Sequence, residues 1–103
     1  MNIDCICRHL KPEPTIVDFA KRRAGLALGR FANRIDSLVL RIDDVNGPRG
    51  GLDISCLGTA TLHGGETVVI TARHTSAQGA IIEVMTRLRQ AVIRTLERAR
   101  IGH

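Results

Sequence analysis

The sequence predicts an α+β fold: one two-layer β-α-β-β-β-α domain over residues 1–103, with a four-stranded sheet carrying two helices on one face. Three observations predict it. Apolar residues alternate in four short stretches and recur at helical spacing in two long ones. The apolar content of 44% suffices for a single modest core in 103 residues. Aromatic residues are almost missing, with no Trp, no Tyr and only Phe19 and Phe31, so that core has to be aliphatic.

The first element is a strand over 3–8, where Ile3, Cys5 and Cys7 alternate with Asp4, Ile6 and Arg8. Lys11-Pro12-Glu13-Pro14 breaks it, and prolines ahead of a periodic run suit a helix start. A helix over 14–34 follows, because Val17, Ala20, Ala24, Ala27, Leu28, Phe31 and Ile35 share one face. Gly25 and Gly29 interrupt it at about 1 kcal/mol each against Ala. Four residues apart, they read as a site of close backbone packing on one side of the helix.

Leu38, Leu40 and Ile42 make the second strand. It runs into "DDVNGPRGGLD", residues 43–53, which holds the turn signals Asn46-Gly47-Pro48 and Gly50-Gly51 with Arg49 at the tip. A third strand over 52–62 turns Leu52, Ile54, Cys56, Gly58, Ala60 and Leu62 to one face. His63-Gly64-Gly65-Glu66 is a two-glycine hairpin turn into a fourth strand over 67–72, with Val68, Ile70 and Ala72 alternating. The last helix, over 76–98, buries Ile81, Val84, Met85, Leu88, Ala91, Val92 and Thr95. The opening β-α-β unit is expected to cross over right-handedly.

Several function classes find no support in the residues. The loop lacks the Lys-Ser/Thr pair of GxxxxGK[ST] and stands between two strands rather than before a helix, so it reads as a turn. Its acids lack the calcium-loop spacing. "CICRH" sets Cys5, Cys7 and His9 on one side of a strand, and Cys56 belongs to the same inward face. Small buried, unbridged thiols are expected there rather than a zinc site. His63 and His74 read as isolated, exposed residues at strand ends. No nucleophile-base pairing is apparent, so neither an enzyme, a metal, another cofactor nor a small-molecule substrate is expected. No apolar run is long enough to span a membrane, and the first residues do not resemble a signal peptide. Three cysteines and no disulfide pattern point to a cytoplasmic protein without a membrane partner.

Charge points the other way, toward a polyanion. The net charge is +5, the pI is about 10.1, and 13 of the 15 basic residues are Arg, the better fork for phosphate. Arg23, Arg30 and Arg34 lie at i, i+7 and i+11, and Arg87, Arg94 and Arg98 repeat those offsets. On an α-helix each triplet falls within about 40° of arc, with heads roughly 6–10 Å apart along the axis. Two packed helices would then carry a two-row basic face suited to nucleic-acid backbone rather than to bases. Glu83 and Glu97 stand near the second line, and Glu97 is placed to pair with Arg94 or Arg98. A solvated, salt-bridged helix surface is the competing reading. The outer sheet face offers Ile6, Val39, Leu57 and Val69 as an apolar patch for a protein or a second copy.

"DDVNGPRGGLDISC", after "RFANRIDSLVLRI" and before the two-glycine hairpin, resembles the ribosome hibernation-promoting factor family, the ribosome-associated inhibitors. "RHL" at 8–10, "AI" at 80–81 and "IRTLER" at 93–98 extend the resemblance over about residues 3–98. It implies the same β-α-β-β-β-α fold and a non-enzymatic, cytoplasmic stress protein. Such a protein binds the decoding region of the small ribosomal subunit and its rRNA, and so inhibits translation or stabilises idle ribosomes. The RNA face it implies comprises Arg23, Arg30, Arg34, Arg87, Arg94 and Arg98, with Arg8 as the basic residue ending the first strand. With the chain ending at His103, the resemblance is to a short form without the C-terminal dimerisation domain. The chain departs from the family at Cys7, where many members have Gly, and in "HTSAQGAI", residues 74–81, where an Asp and a Tyr are missing. A diverged RNA- or protein-interaction module of the same fold, without hibernation activity, is the alternative reading.

Overall fold

The computed structural model describes residues 1–10, 13–45 and 53–101, with side chains described as far as 98. Its elements are β1 (Asn2–Arg8), α1 (Pro14–Leu28), a 3-10 segment (Gly29–Arg34), β2 (Ile35–Asp44), β3 (Ile54–Leu62), β4 (Thr67–His74) and α2 (Ala77–Ile101). The sheet order is β1-β2-β3-β4. β1 and β2 are parallel across the α1 crossover, and the remaining neighbours are antiparallel. This is the expected α+β order. The turn signals Asn46-Gly47-Pro48 and Gly50-Gly51, together with Arg49, Leu52, Lys11 and Pro12, lie outside the described residues.

The strands alternate for the reason the sequence suggested. In β3 every second residue from Ile54 to Leu62 is buried. Ile35 and Leu38 of β2 are an odd number of residues apart, yet both are buried. A register irregularity between Ile35 and Ser37 absorbs the mismatch and turns both inward. Gly64 and Gly65 take φ of 109° and 100°, the left-handed backbone that lets a two-glycine turn match the strand twist.

α2 starts where Ser76 caps it. Its Oγ accepts the Gly79 N–H at 3.0 Å, and its carbonyl accepts the Ala80 N–H at 3.1 Å. α2 then lies over β3 and β4, while α1 packs beside α2 and reaches β1. Leu38, Leu40, Ile42, Ile81, Val84 and Leu88 are fully buried between the layers. Ala91 is only half-buried. Thr95, the buried polar member of the stripe, donates its hydroxyl to the Ala91 carbonyl at 2.8 Å.

Two expectations about the first helix need correction. The first helix does not run unbroken to residue 34: Leu28 takes φ −119° and ψ 0°, and the chain tightens into the 3-10 segment from Gly29. Two glycines in one stretch weaken the α form, and a 3-10 helix covers more length per residue. The segment's end is pinned to the β3–β4 hairpin, where the His63 N–H reaches the Arg34 carbonyl at 2.8 Å. Nor do Gly25 and Gly29 mark close packing, because both are exposed and a Cβ on either would meet nothing within 4 Å. Close approach occurs instead at Gly58, where a Cβ would stand 2.7 Å from Val84 Cγ1.

The cysteines divide. Cys56 is fully buried, but Cys5 and Cys7 are half-buried, because β1 is an edge strand. All three are free thiols. Burial pushes the Cys56 thiol up to about 12, and burial with Cys7 alongside pushes Cys5 to about 11. His9 is not on their side. It is exposed, takes φ 59°, and places Nδ1 2.8 Å from Asp43 Oδ1. No group of His, Cys, Asp or Glu among the described residues is arranged to hold a metal ion.

Candidate nucleic-acid interface

Charge is segregated between the layers. The helical segments 14–34 and 77–101 carry ten Arg or Lys against three acids, and the rest of the chain carries five against seven. The net positive charge therefore resides on the helical layer, while the sheet and its loops are slightly acidic. No helix among the described residues is long and apolar enough to cross a membrane.

α2 presents Arg87, Arg94 and Arg98 as one line, since its α geometry is uninterrupted over these positions. All three are exposed. The line faces the β4 side, where Arg87 Nη1 donates to the Thr71 carbonyl at 3.0 Å and to Glu83 Oε2 at 3.3 Å. Glu83 in turn sits 2.7 Å from His74 Nε2. His74 is therefore half-buried and bonded rather than isolated. Its hydrogen bond, followed by that of Arg87, holds the Glu83 carboxyl below the usual glutamate range. His63, also expected to be isolated, is exposed as predicted but lies 3.3 Å from Asp36. Glu97 makes no ion pair with Arg94 or Arg98 among the described residues, so the expected pairing does not form there.

The other triplet does not form the expected row. Arg23 is on α1, but Arg30 and Arg34 fall in the 3-10 segment, where residues four apart diverge by about 120° rather than 40°. Arg23 lines a groove between the helices, opposite Met85, Thr86, Arg89 and Gln90 of α2. That flank of α2 is centred roughly 130° around the helix from Arg87, Arg94 and Arg98. The basic surface therefore wraps over α2 instead of forming two rows side by side. Arg89, which the sequence offsets did not single out, joins Arg23 in the groove. Its signal was available in the helix wheel, but not which flank of α2 would meet α1.

Arg8 stands apart from all of these. It ends β1 on the outer sheet face, in register with Asp43 and away from the helical layer. On that face Ile6 and Val69 are 38% and 54% exposed. Strand register interleaves the four apolar residues with polar ones, in the rows Asp4-Val39-Thr59-Val69 and Ile6-Arg41-Leu57-Thr71. At the base of the 43–53 loop, the Val45 N–H donates to the Asp53 carbonyl at 2.9 Å, and the Asp53 carboxylate takes a two-point contact from Arg73.

No protein-family model matches the chain, and no curated protein matches it. Solved structures do match. The N-terminal domain of Thermus thermophilus Protein Y is similar with a TM-score of 0.76 and 20% identity, over 92% of this chain and 99% of that one. A ribosomal subunit interface protein from Coxiella burnetii is similar with a TM-score of 0.78 and 12% identity, over 94% of this chain and 99% of that one. Identities this low speak for shared architecture. The chain has the fold of the Protein Y N-terminal domain and of the ribosomal subunit interface protein, the fold that its resemblance to hibernation-promoting factors implied.

Proposed function

We propose that this chain is a non-enzymatic, cytoplasmic, ribosome-associated RNA-binding protein. It binds the decoding region of the small subunit and so inhibits translation or stabilises idle ribosomes. The observation that carries the reading is the concentration of unpaired arginines on the helical layer of a fold shared with a ribosomal subunit interface protein. Arg23, Arg30, Arg34, Arg94 and Arg98 have no acidic partner among the described residues, which disfavours the reading of a salt-bridged surface. Guanidiniums on helices suit phosphate oxygens, and such contacts position a protein on folded RNA without reading its sequence. Arg8, on the other face, is a contact only for RNA that reaches around the end of β1.

Co-sedimentation with purified small subunits at two salt concentrations tests this. Binding at low salt that weakens steeply at high salt is expected. Absence from the ribosomal pellet at low salt would overturn the reading and favour the interaction module with its outer sheet face.

A further inference from the structure

We propose that the groove between α1 and α2 receives one unpaired nucleotide, its base held against Leu26 and Ala27 and its neighbouring phosphates paired with Arg23 and Arg89. This rests on the RNA-binding reading above and gives it a preference that phosphate contacts alone cannot supply.

The groove has a volume of about 240 Å³. That is just below the roughly 300–1,000 Å³ of pockets for larger ligands, and it suits one planar ring system rather than a helix or a duplex. Its charge is of one sign among the described residues, where Arg23 and Arg89 line it and no acid does. Ala27 leaves the space open, and Leu26 is left 78% exposed beside it. Thr86 and Gln90, both exposed, add donors and acceptors to the lining for a base edge.

The composition makes the arrangement informative. Single-stranded RNA is commonly held by bases stacked on Tyr, Trp or Phe. Here there is no Tyr or Trp, and Phe19 and Phe31 are half-buried against the core. Guanidinium planes also stack on bases. An aliphatic groove edged by two arginines offers an unstacked base both an apolar surface and a cationic plane. A paired base offers no free ring to insert, so the groove selects bulges and single-stranded turns.

The test compares two hairpin RNAs of equal phosphate number, one fully paired and one with a single bulged 2-aminopurine, against the intact protein. The bulged RNA is expected to bind about tenfold more tightly, with a change in 2-aminopurine fluorescence on binding. Thr86→Leu, at an exposed helix position, fills the groove without removing charge. It should abolish the preference and leave affinity for the paired RNA within about twofold. Ala27→Leu provides a second filling variant, and thermal melting checks that each is folded. Equal wild-type binding of the two RNAs, or a preference that survives both folded variants, overturns the groove proposal while leaving phosphate recognition standing. Wild-type protein that binds neither RNA overturns both.

Discussion

Gly58 and Val84 are in direct apposition across the two layers: a Cβ on Gly58 would stand 2.7 Å from Val84 Cγ1, with Leu40 Cδ2 at 3.3 Å. Both residues are buried, and Gly58 lies at the centre of β3 under α2. The missing side chain is what allows α2 to sit this close to the sheet.

Gly58→Ala should therefore destabilise the protein by about 1–3 kcal/mol through overpacking, despite the better backbone propensity of Ala. Val84→Ala vacates the clashing methyl, so the double variant should recover part of the loss relative to the sum of the singles. Urea unfolding of the four proteins reads this directly. Additive effects would mean that the contact does not govern the packing.

Glu83 joins His74 of β4 to Arg87 of α2, and its carboxyl is held below the ordinary value of 4.5. A depressed carboxyl contributes stability that is present above that value and disappears as pH falls through the lower folded one. Wild type should be more stable than Glu83→Gln near neutral pH, with the gap closing as pH falls below about 4.5. A gap that stays constant in acid would assign the effect to packing instead.

The thiols should react in order of burial. Cys56 is buried, and its thiol is pushed up to about 12, so alkylation of native protein near pH 8 should miss it. Cys5, raised to about 11, should react slowly. Because folding raises these values above the ordinary 9.0, the native state is favoured fully below pH 9 and loses that contribution as pH climbs toward 11–12. Mass spectrometry of peptides after timed alkylation gives the order, and urea melts across alkaline pH give the sign.

Not all line arginines should count equally in RNA binding. Arg94→Ala removes an unpaired charge and should make the slope of log K against log salt shallower by roughly one unit. Arg87→Ala should change it less, because Glu83 already neutralises part of that charge. Arg41→Ala, on the opposite sheet face, is the control expected to leave the slope unchanged. Arg73→Ala is unsuitable as a control, since it releases Asp53 at the base of the 43–53 loop. Equal slope changes for Arg94, Arg87 and Arg41 would indicate general charge attraction rather than a helical interface.

Element type and order were legible in the sequence, because alternation and helical spacing are local. Val68 and Ala72 of β4, or Ile81, Val84 and Leu88 of α2, declare their buried face whatever they pack against. The positive charge of the helices was legible for the same reason. Only the tertiary structure decided where each arginine goes. Whether residues 29–34 stay α-helical depends on the reach from α1 to β2 and on the bond between the Arg34 carbonyl and His63, a residue far along the chain. Which flank of α2 meets α1 depends on how that helix seats over Gly58, and this put Arg89 beside Arg23 and Arg87 beside Thr71. Periodicity fixes angles around one helix axis; the angle between that helix and its neighbours is set by contacts between residues distant in sequence, and no spacing within the helix encodes it.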